Sequence, residues 1–313
     1  MQSVMKQNIV KAAQDYMAAN GMTAENLHRL SGVSQSYLSS MLAGKMTVGA
    51  AGKETEIADK WFFLLAAAVR FDTGKVYWKT VTTKQMRQII TALEVARDNG
   101  RMTTIICPTG MGKTHCINMF KHSFPKDVFV ITINSLVKLH DVIRMLCEAL
   151  GISTKDSKAL KLRNIILKLR EMKLAGLKPT IIFDEAENME HSLVKLMKGL
   201  FDGLNGYATI AQIGTDQLLT KMSRAKNSNM DGGPQYYRRF KSSITPINTI
   251  VSFDLFFKEL GIMDVKVQRL LERECENYGE LHDYLEPVLR EADLRELPVT
   301  VELFQTIYTG MAA

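Results

Sequence analysis

The stretch Ile105-Ile106-Cys107-Pro108-Thr109-Gly110-Met111-Gly112-Lys113-Thr114 decides how this chain is read. Two β-branched residues run into a loop with two glycines, and a lysine and a threonine close it. Such a loop grips phosphate because small residues let successive backbone N–H groups turn inward. The helix that starts behind it adds free donors and the positive end of its dipole. In this pattern Lys113 reaches the β- and γ-phosphates of ATP and the Thr114 hydroxyl coordinates Mg²⁺. Pro108, Thr109, Gly110, Met111 and Gly112 form the cradle, and His115 follows in the first helical turn. The pattern ordinarily opens with glycine, and here Cys107 stands in that place. The backbone there must therefore adopt a conformation that a β-carbon tolerates. A second stretch, Thr180-Ile181-Ile182-Phe183-Asp184-Glu185, reads as an apolar strand ending in two carboxylates. Asp184 is placed to hold Mg²⁺, and Glu185 to orient or polarise an attacking water. Loop and strand end together predict a site that binds and hydrolyses ATP with Mg²⁺.

Outward from these two stretches, strands at 103–107, 128–133, 179–184 and 208–213, with a fifth near 245–250, alternate with helices at 113–122, 138–150, 159–174 and 191–203. A lead-in helix runs from Thr83 to Asn99. That alternation predicts an α/β fold with a parallel sheet flanked by helices on both faces. The strand segment Ala208–Asp216 ends in polar residues that could sense the γ-phosphate, with Thr215 preferred and Asp216 second. Arg239 and then Arg238, in Tyr236-Tyr237-Arg238-Arg239-Phe240, are candidates to reach a neighbouring subunit's γ-phosphate and stabilise charge in the transition state.

The first seventy residues read as helical. Val4, Ile9, Ala12, Ala13 and Tyr16 line a first helix that stops near Asn20-Gly21. Thr23 caps a second helix, Ser31-Gly32-Val33 makes a tight turn, and Ser34 caps a third that runs through Leu42. This is the spacing of a helix-turn-helix. The third helix has no Lys or Arg. Ser34, Gln35, Ser36 and Ser39 can hydrogen-bond phosphates or base edges, and Lys45 just beyond is the nearest cation. A helical bundle used only for protein contact would have the same pattern. The run Trp61–Val69 is too short to span a bilayer, which needs roughly 20 residues, so a core helix and no membrane partner are expected. After residue 251 the chain reads as helical again, a C-terminal lid. The expected domains are 1–72, 73–250 and 251–313, with the first boundary at Asp72-Thr73-Gly74-Lys75.

The chain has 313 residues, 46% hydrophobic and 23% charged, with a formal net charge of +7. A pI near 9.1 favours an anionic partner such as nucleic acid. Four scattered cysteines (Cys107, Cys116, Cys147 and Cys275) form no C-x-x-C pair, which argues against a disulfide framework or zinc site. The N-terminus lacks the apolar core of a signal peptide, and a cytoplasmic location, in a bacterial host cell, is expected.

The block from Thr83 to about Ile247 resembles the AAA+ ATPases that serve DNA transposition, the phage Mu B family, with insertion-sequence and transposon-borne helper ATPases as relatives. The resemblance rests on "TTKQMRQII", "CPTGMGKT", "VFVITIN", "IIFDEAEN", "IAQIGTDQ" and "YYRRF", and on the joining of a repressor-like helix-turn-helix to a small AAA+ module. It implies ATP-bound subunits that assemble as a homo-oligomer or helical filament on double-stranded DNA, largely without sequence preference. It also implies recruitment or activation of a transposase, delivery of target DNA, and release driven by hydrolysis. In that arrangement a basic stretch faces the filament channel, and Lys155, Lys158, Lys161 and Arg163 are the matching residues here. Relatives place a nucleotide-sensing arginine in a Gly-x-Leu-Arg pattern of the lid. The matching run is Gly279-Glu280-Leu281-His282, so His282, shorter and near-neutral at pH 7, stands in that place. Two other readings share parts of this pattern: a helicase loader, and a repressor-like DNA-binding regulator switched by nucleotide.

Overall fold

The computed structural model describes residues 3–49, 54–69, 71, 76–227, 232–247 and 250–308. The chain forms two compact units, one of Met1–Thr80, Phe253–Cys275 and Leu281–Ala313, the other of Val81–Ser252 and Glu276–Glu280. The expected boundary at Asp72-Thr73-Gly74-Lys75 lies outside the described residues.

The larger unit is the expected α/β sandwich. Its strands are β3 (Thr103–Ile106), β4 (Val128–Thr132), β5 (Thr180–Asp184), β6 (Thr209–Gly214) and β7 (Ile244–Pro246), numbered after two short strands of the other unit, β1 (Thr47–Val48) and β2 (Thr55–Glu56). The order across the sheet is β4-β5-β6-β3-β7, and every pairing is parallel. Because side chains alternate across a strand, each strand feeds two cores. Ile105, Ile182, Ala211 and Ile213 face one cluster with Ile89, Leu93, Ile117 and Phe120 of the helices Lys84–Asn99 and Lys113–Ser123. Ile106, Ile181, Phe183 and Ile210 face the other, which is filled from the helices Leu139–Ala149, Lys158–Leu174 and His191–Leu204. Burial on both faces is why these strands read as continuous apolar runs. The fifth strand ends earlier than the expected 245–250, at Pro246, where the missing N–H fits an edge position. Residues 248 and 249 of that expected range lie outside the described residues.

The smaller unit opens with helices Ser3–Asn20, Ala24–Ser31 and Gln35–Leu42. Both expected caps are in place: Thr23 Oγ1 accepts from Asn26 N at 3.3 Å, and Ser34 Oγ accepts from Tyr37 N at 3.4 Å. Gly32 (φ 67°) makes the left-handed turn between the helices. The run Trp61–Val69 forms most of the helix Asp59–Ala68, with Val69 just past its end, and Phe62, Leu65 and Ala66 are buried against Ile9, Leu27 and Leu38. The antiparallel pairing of β1 with β2 has no counterpart in the sequence reading. Two residues per strand are too few for a period to show. Among the described residues no helix is long and apolar enough to cross a membrane. Helices Asp254–Leu260, Val265–Glu274, Tyr278–Arg295 and Val301–Ile307 follow β7, in line with the expected helical segment.

Candidate nucleotide site

β3 hands the chain to the phosphate loop at its buried end. Cys107 N donates to Gly214 O at 2.9 Å, extending the β3–β6 ladder by one rung. The Cys107 side chain is fully buried among Ile105, Cys116 and Ile117. Within 107–114 only Gly110 (φ 74°) and Gly112 (φ 79°) adopt left-handed backbone. The loop therefore needs glycine at those two places and not at 107, and the departure from the usual pattern is accommodated as core packing. Burial pushes the Cys107 thiol up to about 11, away from the reactive thiolate.

Lys113 starts the helix Lys113–Ser123, and its Nζ donates to Cys107 O at 3.0 Å and Pro108 O at 2.9 Å. The ammonium is thus held over its own loop. Thr114 Oγ1 donates to Asp184 Oδ2 at 3.0 Å, joining the loop to the end of β5. Asp184 is 1% exposed. Burial raises its pKa against the Thr114 bond, the Glu185 N–H and the Lys113 charge, which all favour the carboxylate. A carboxylate disfavoured by its burial, beside a threonine hydroxyl at a helix start, is a donor set that suits Mg²⁺. The residues present therefore fit a nucleotide with its metal.

Glu185 follows with φ 52° and ψ 40°, an uncommon conformation for a residue with a β-carbon, costing on the order of 1–3 kcal/mol. It turns the chain sharply off β5 into the single turn Ala186–Asn188. Asn188 Nδ2 donates both to Glu185 Oε2 at 3.2 Å and to Ile133 O at 2.8 Å, so the candidate base is held from β4's side of the sheet. The sequence reading missed Asn188. Its only signal was a polar residue three positions after the carboxylates. Thr215 lies at the end of β6 as expected, and its Oγ1 is buried with no hydrogen-bond partner among the described residues. Glu187 Oε2 is buried and unpartnered too, and a β-carbon on Gly214 would lie 2.5 Å from it. Gly214 is what lets the 186–188 turn approach the strand end. Pro108, Thr109 and His115 are exposed, and Gly110, Met111 and Gly112 are half-buried around the loop.

A second segment touches the loop. Gly279 N donates to Gly110 O at 2.9 Å, and a β-carbon on Gly110 would lie 1.9 Å from Asn277 Oδ1. His282, three residues on, has its ring edge-on to Trp78 with centroids 5.1 Å apart, and its Nδ1 lies 2.9 Å from Asp283 Oδ1.

The two candidate arginines separate clearly. Both lie on the helix Gly233–Lys241, but Arg239 is paired with Asp202 and stacked on Phe201 with the guanidinium 4.6 Å from the ring centre. Its side chain is only 13% exposed. A guanidinium held inside its own subunit is poorly placed to reach another, which favours the second candidate, Arg238, over Arg239. Arg238 is exposed. The expected basic stretch divides too. Lys155, Lys158 and Arg163 are exposed, whereas Lys161 is 6% exposed on the helix face it shares with Ile165 and Leu169. Of the four, Lys161 is therefore the one least able to reach a DNA phosphate. In the smaller unit Gln35, Ser36, Ser39 and Lys45 are exposed, and Ser34 is occupied as a cap.

Residues 96–221 match the AAA domain family. Over 214 residues the chain is 22% identical to the Mu-like prophage FluMu DNA transposition protein B of Haemophilus influenzae, covering 68% of this chain and 71% of that protein. Among solved structures, the ORC2 protein of Aeropyrum pernix, in ADPNP and ADP complexes, matches with a TM-score of 0.50 at 13% identity. That match covers 73% of this chain and 66% of the other, just under two thirds of its length, and the likeness is one of fold.

Proposed function

We propose that this chain, an AAA+ ATPase of the DNA-transposition helper type, hydrolyses ATP with Mg²⁺ and assembles on double-stranded DNA as a homo-oligomer or helical filament. In that state it recruits or activates a transposase and delivers target DNA, and hydrolysis releases it. The division into a DNA-binding segment (1–72), an ATPase core (73–250) and a helical lid (251–313), and a cytoplasmic location, belong to the same proposal. The observation that carries it is the Thr114–Asp184 hydrogen bond, which brings phosphate loop and paired carboxylates into one site.

Lys113 exchanges its two loop carbonyls for phosphate oxygens, because an ammonium is attracted more strongly to an anionic oxygen than to a neutral carbonyl. Thr114 and Asp184 would hold Mg²⁺, which neutralises phosphate charge when bound. Glu185, held by Asn188, takes the proton of the attacking water, and the Thr215 hydroxyl, which has no partner among the described residues, donates to the γ-phosphate. Arg238 of a neighbouring copy supplies positive charge as the bond to the leaving phosphate breaks. Lys155, Lys158 and Arg163 neutralise DNA phosphates without reading sequence, and Gln35, Ser36, Ser39 and Lys45 add contacts from the helix-turn-helix.

The test is DNA binding measured with ATP, with ADP and without nucleotide. Lys113→Ala loses nucleotide-dependent binding, and Glu185→Gln stays on DNA in ATP because turnover is blocked. Binding that ignores nucleotide in wild type and both variants would sink the proposal.

A further inference from the structure

Gln212 sits in the middle of β6 and is completely buried, as are Thr104 on β3 and, at 2% exposure, Tyr236 on the helix Gly233–Lys241. Three polar side chains in an apolar core are costly unless each finds a partner. Here they form one chain. Tyr236 Oη donates to Gln212 Oε1 at 2.5 Å, Gln212 Nε2 donates to Thr104 Oγ1 at 2.7 Å, and the same Nε2 lies 3.6 Å from Met222 Sδ. Apolar residues of similar volume could fill this space with no bond to satisfy, so packing alone does not account for the chain. A directed bond fixes a helix against a sheet in register and orientation as a greasy contact does not.

What the chain joins is specific. Thr104 lies three residues before Cys107, where the phosphate loop begins, and Gln212 lies three residues before Thr215. Tyr236 lies two residues before Arg238. Two residues on a helix turn about 200°, so burying Tyr236 drives Arg238 to the outer face. Phe240, one turn on from Tyr236, is buried on the same side. Sideways, Arg239 holds Asp202 and Phe201 of the neighbouring helix. We infer that the buried Thr104–Gln212–Tyr236 relay is the positioning device of Arg238, fixing the arginine-bearing helix to the two strands whose ends read the nucleotide. This rests on the reading above that an arginine acts across subunits. Tyr236 and Gln212 are positioning residues, since they touch no substrate.

The test is ATP hydrolysis on double-stranded DNA by the full chain, with nucleotide affinity and thermal stability measured in parallel. Tyr236→Phe deletes one oxygen. Because misplacement of an acting group by about 1 Å can cost about 100-fold, turnover should fall roughly 10- to 100-fold, with ATP affinity unchanged. Mixing supplies the readout that a merely structural role would not move. Tyr236→Phe subunits keep their own hydrolytic groups, so Glu185→Gln subunits, which retain Arg238, should restore turnover to them; Arg238→Ala subunits should not. Thr104→Val cuts the relay at its other end and should shift turnover the same way, which covers the case of a poorly folded Tyr236→Phe. Tyr236→Phe at wild-type speed beside a slow Arg238→Ala would overturn the relay alone, as would a loss of ATP affinity or a failure of rescue. Arg238→Ala at wild-type speed would overturn the cross-subunit reading, and the relay with it.

Discussion

Gly110→Ala tests the claim that the phosphate loop and the 276–280 segment are built against each other. Gly110 has φ 74°, where a β-carbon costs about 1–2 kcal/mol. The added carbon would also lie 1.9 Å from Asn277 Oδ1 and 2.2 Å from its Cγ, so Asn277 must swing away. In doing so it gives up accepting from Glu280 N at 3.0 Å and donating to Glu280 Oε1 at 2.8 Å. The first is a helix-capping bond, and its loss costs about 1 kcal/mol. The sum is about 2–3 kcal/mol, a fall in Tm of about 4–12 °C for a unit of this size. Asn277→Gly removes the obstructing atoms, and glycine costs only a few tenths of a kcal/mol in a capping position. In urea unfolding the double variant should therefore recover about 1 kcal/mol relative to the sum of the singles, leaving the backbone part of the penalty. Additivity within about 0.5 kcal/mol, the behaviour of independent sites, would refute the contact as drawn.

Three further outcomes follow from the geometry. Arg97→Ala strands Asp127, whose carboxylate is 6% exposed and bonded at 2.9 Å to both Arg97 Nη2 and Lys178 N; a loss of about 3–5 kcal/mol is expected in denaturant titrations. Because burial pushes Cys107 up to about 11, it holds roughly a hundredfold less thiolate at pH 8 than a free thiol. Iodoacetamide labelling of the native chain, read by mass spectrometry, should accordingly be slow and rise only as pH approaches 11. Rapid labelling at pH 8 would contradict the burial. If the basic stretch meets DNA, alanine at Lys155, Lys158 or Arg163 should each flatten the log–log salt dependence of ATP-dependent binding by about one, and Lys161→Ala should leave it unchanged.

Much of this was legible because it is local. The caps Thr23 and Ser34, the glycine turn at Gly32, the apolar strand runs and the phosphate loop each depend on residues within a few positions of one another, so spacing reveals them. Even the union of Lys113-Thr114 with Asp184-Glu185 was legible, since each half carries its own chemical pattern. What the sequence did not show are facts about neighbours in space. That Cys107 needs no glycine follows from its place in the core. That Lys161 is buried while Lys158 is exposed depends on which face of one helix meets the sheet. That Arg239 is held and Arg238 exposed depends on Asp202 and Phe201, more than thirty residues away. Asn188, Asn277 and the Thr104–Gln212–Tyr236 chain matter through bonds whose partners no periodicity can name. The sequence alone determined an α/β nucleotide site, because phosphate and metal chemistry leaves a short-range signature. The tertiary structure alone decided which of its cations and polar side chains are available to act, because burial and pairing are set by residues distant along the chain.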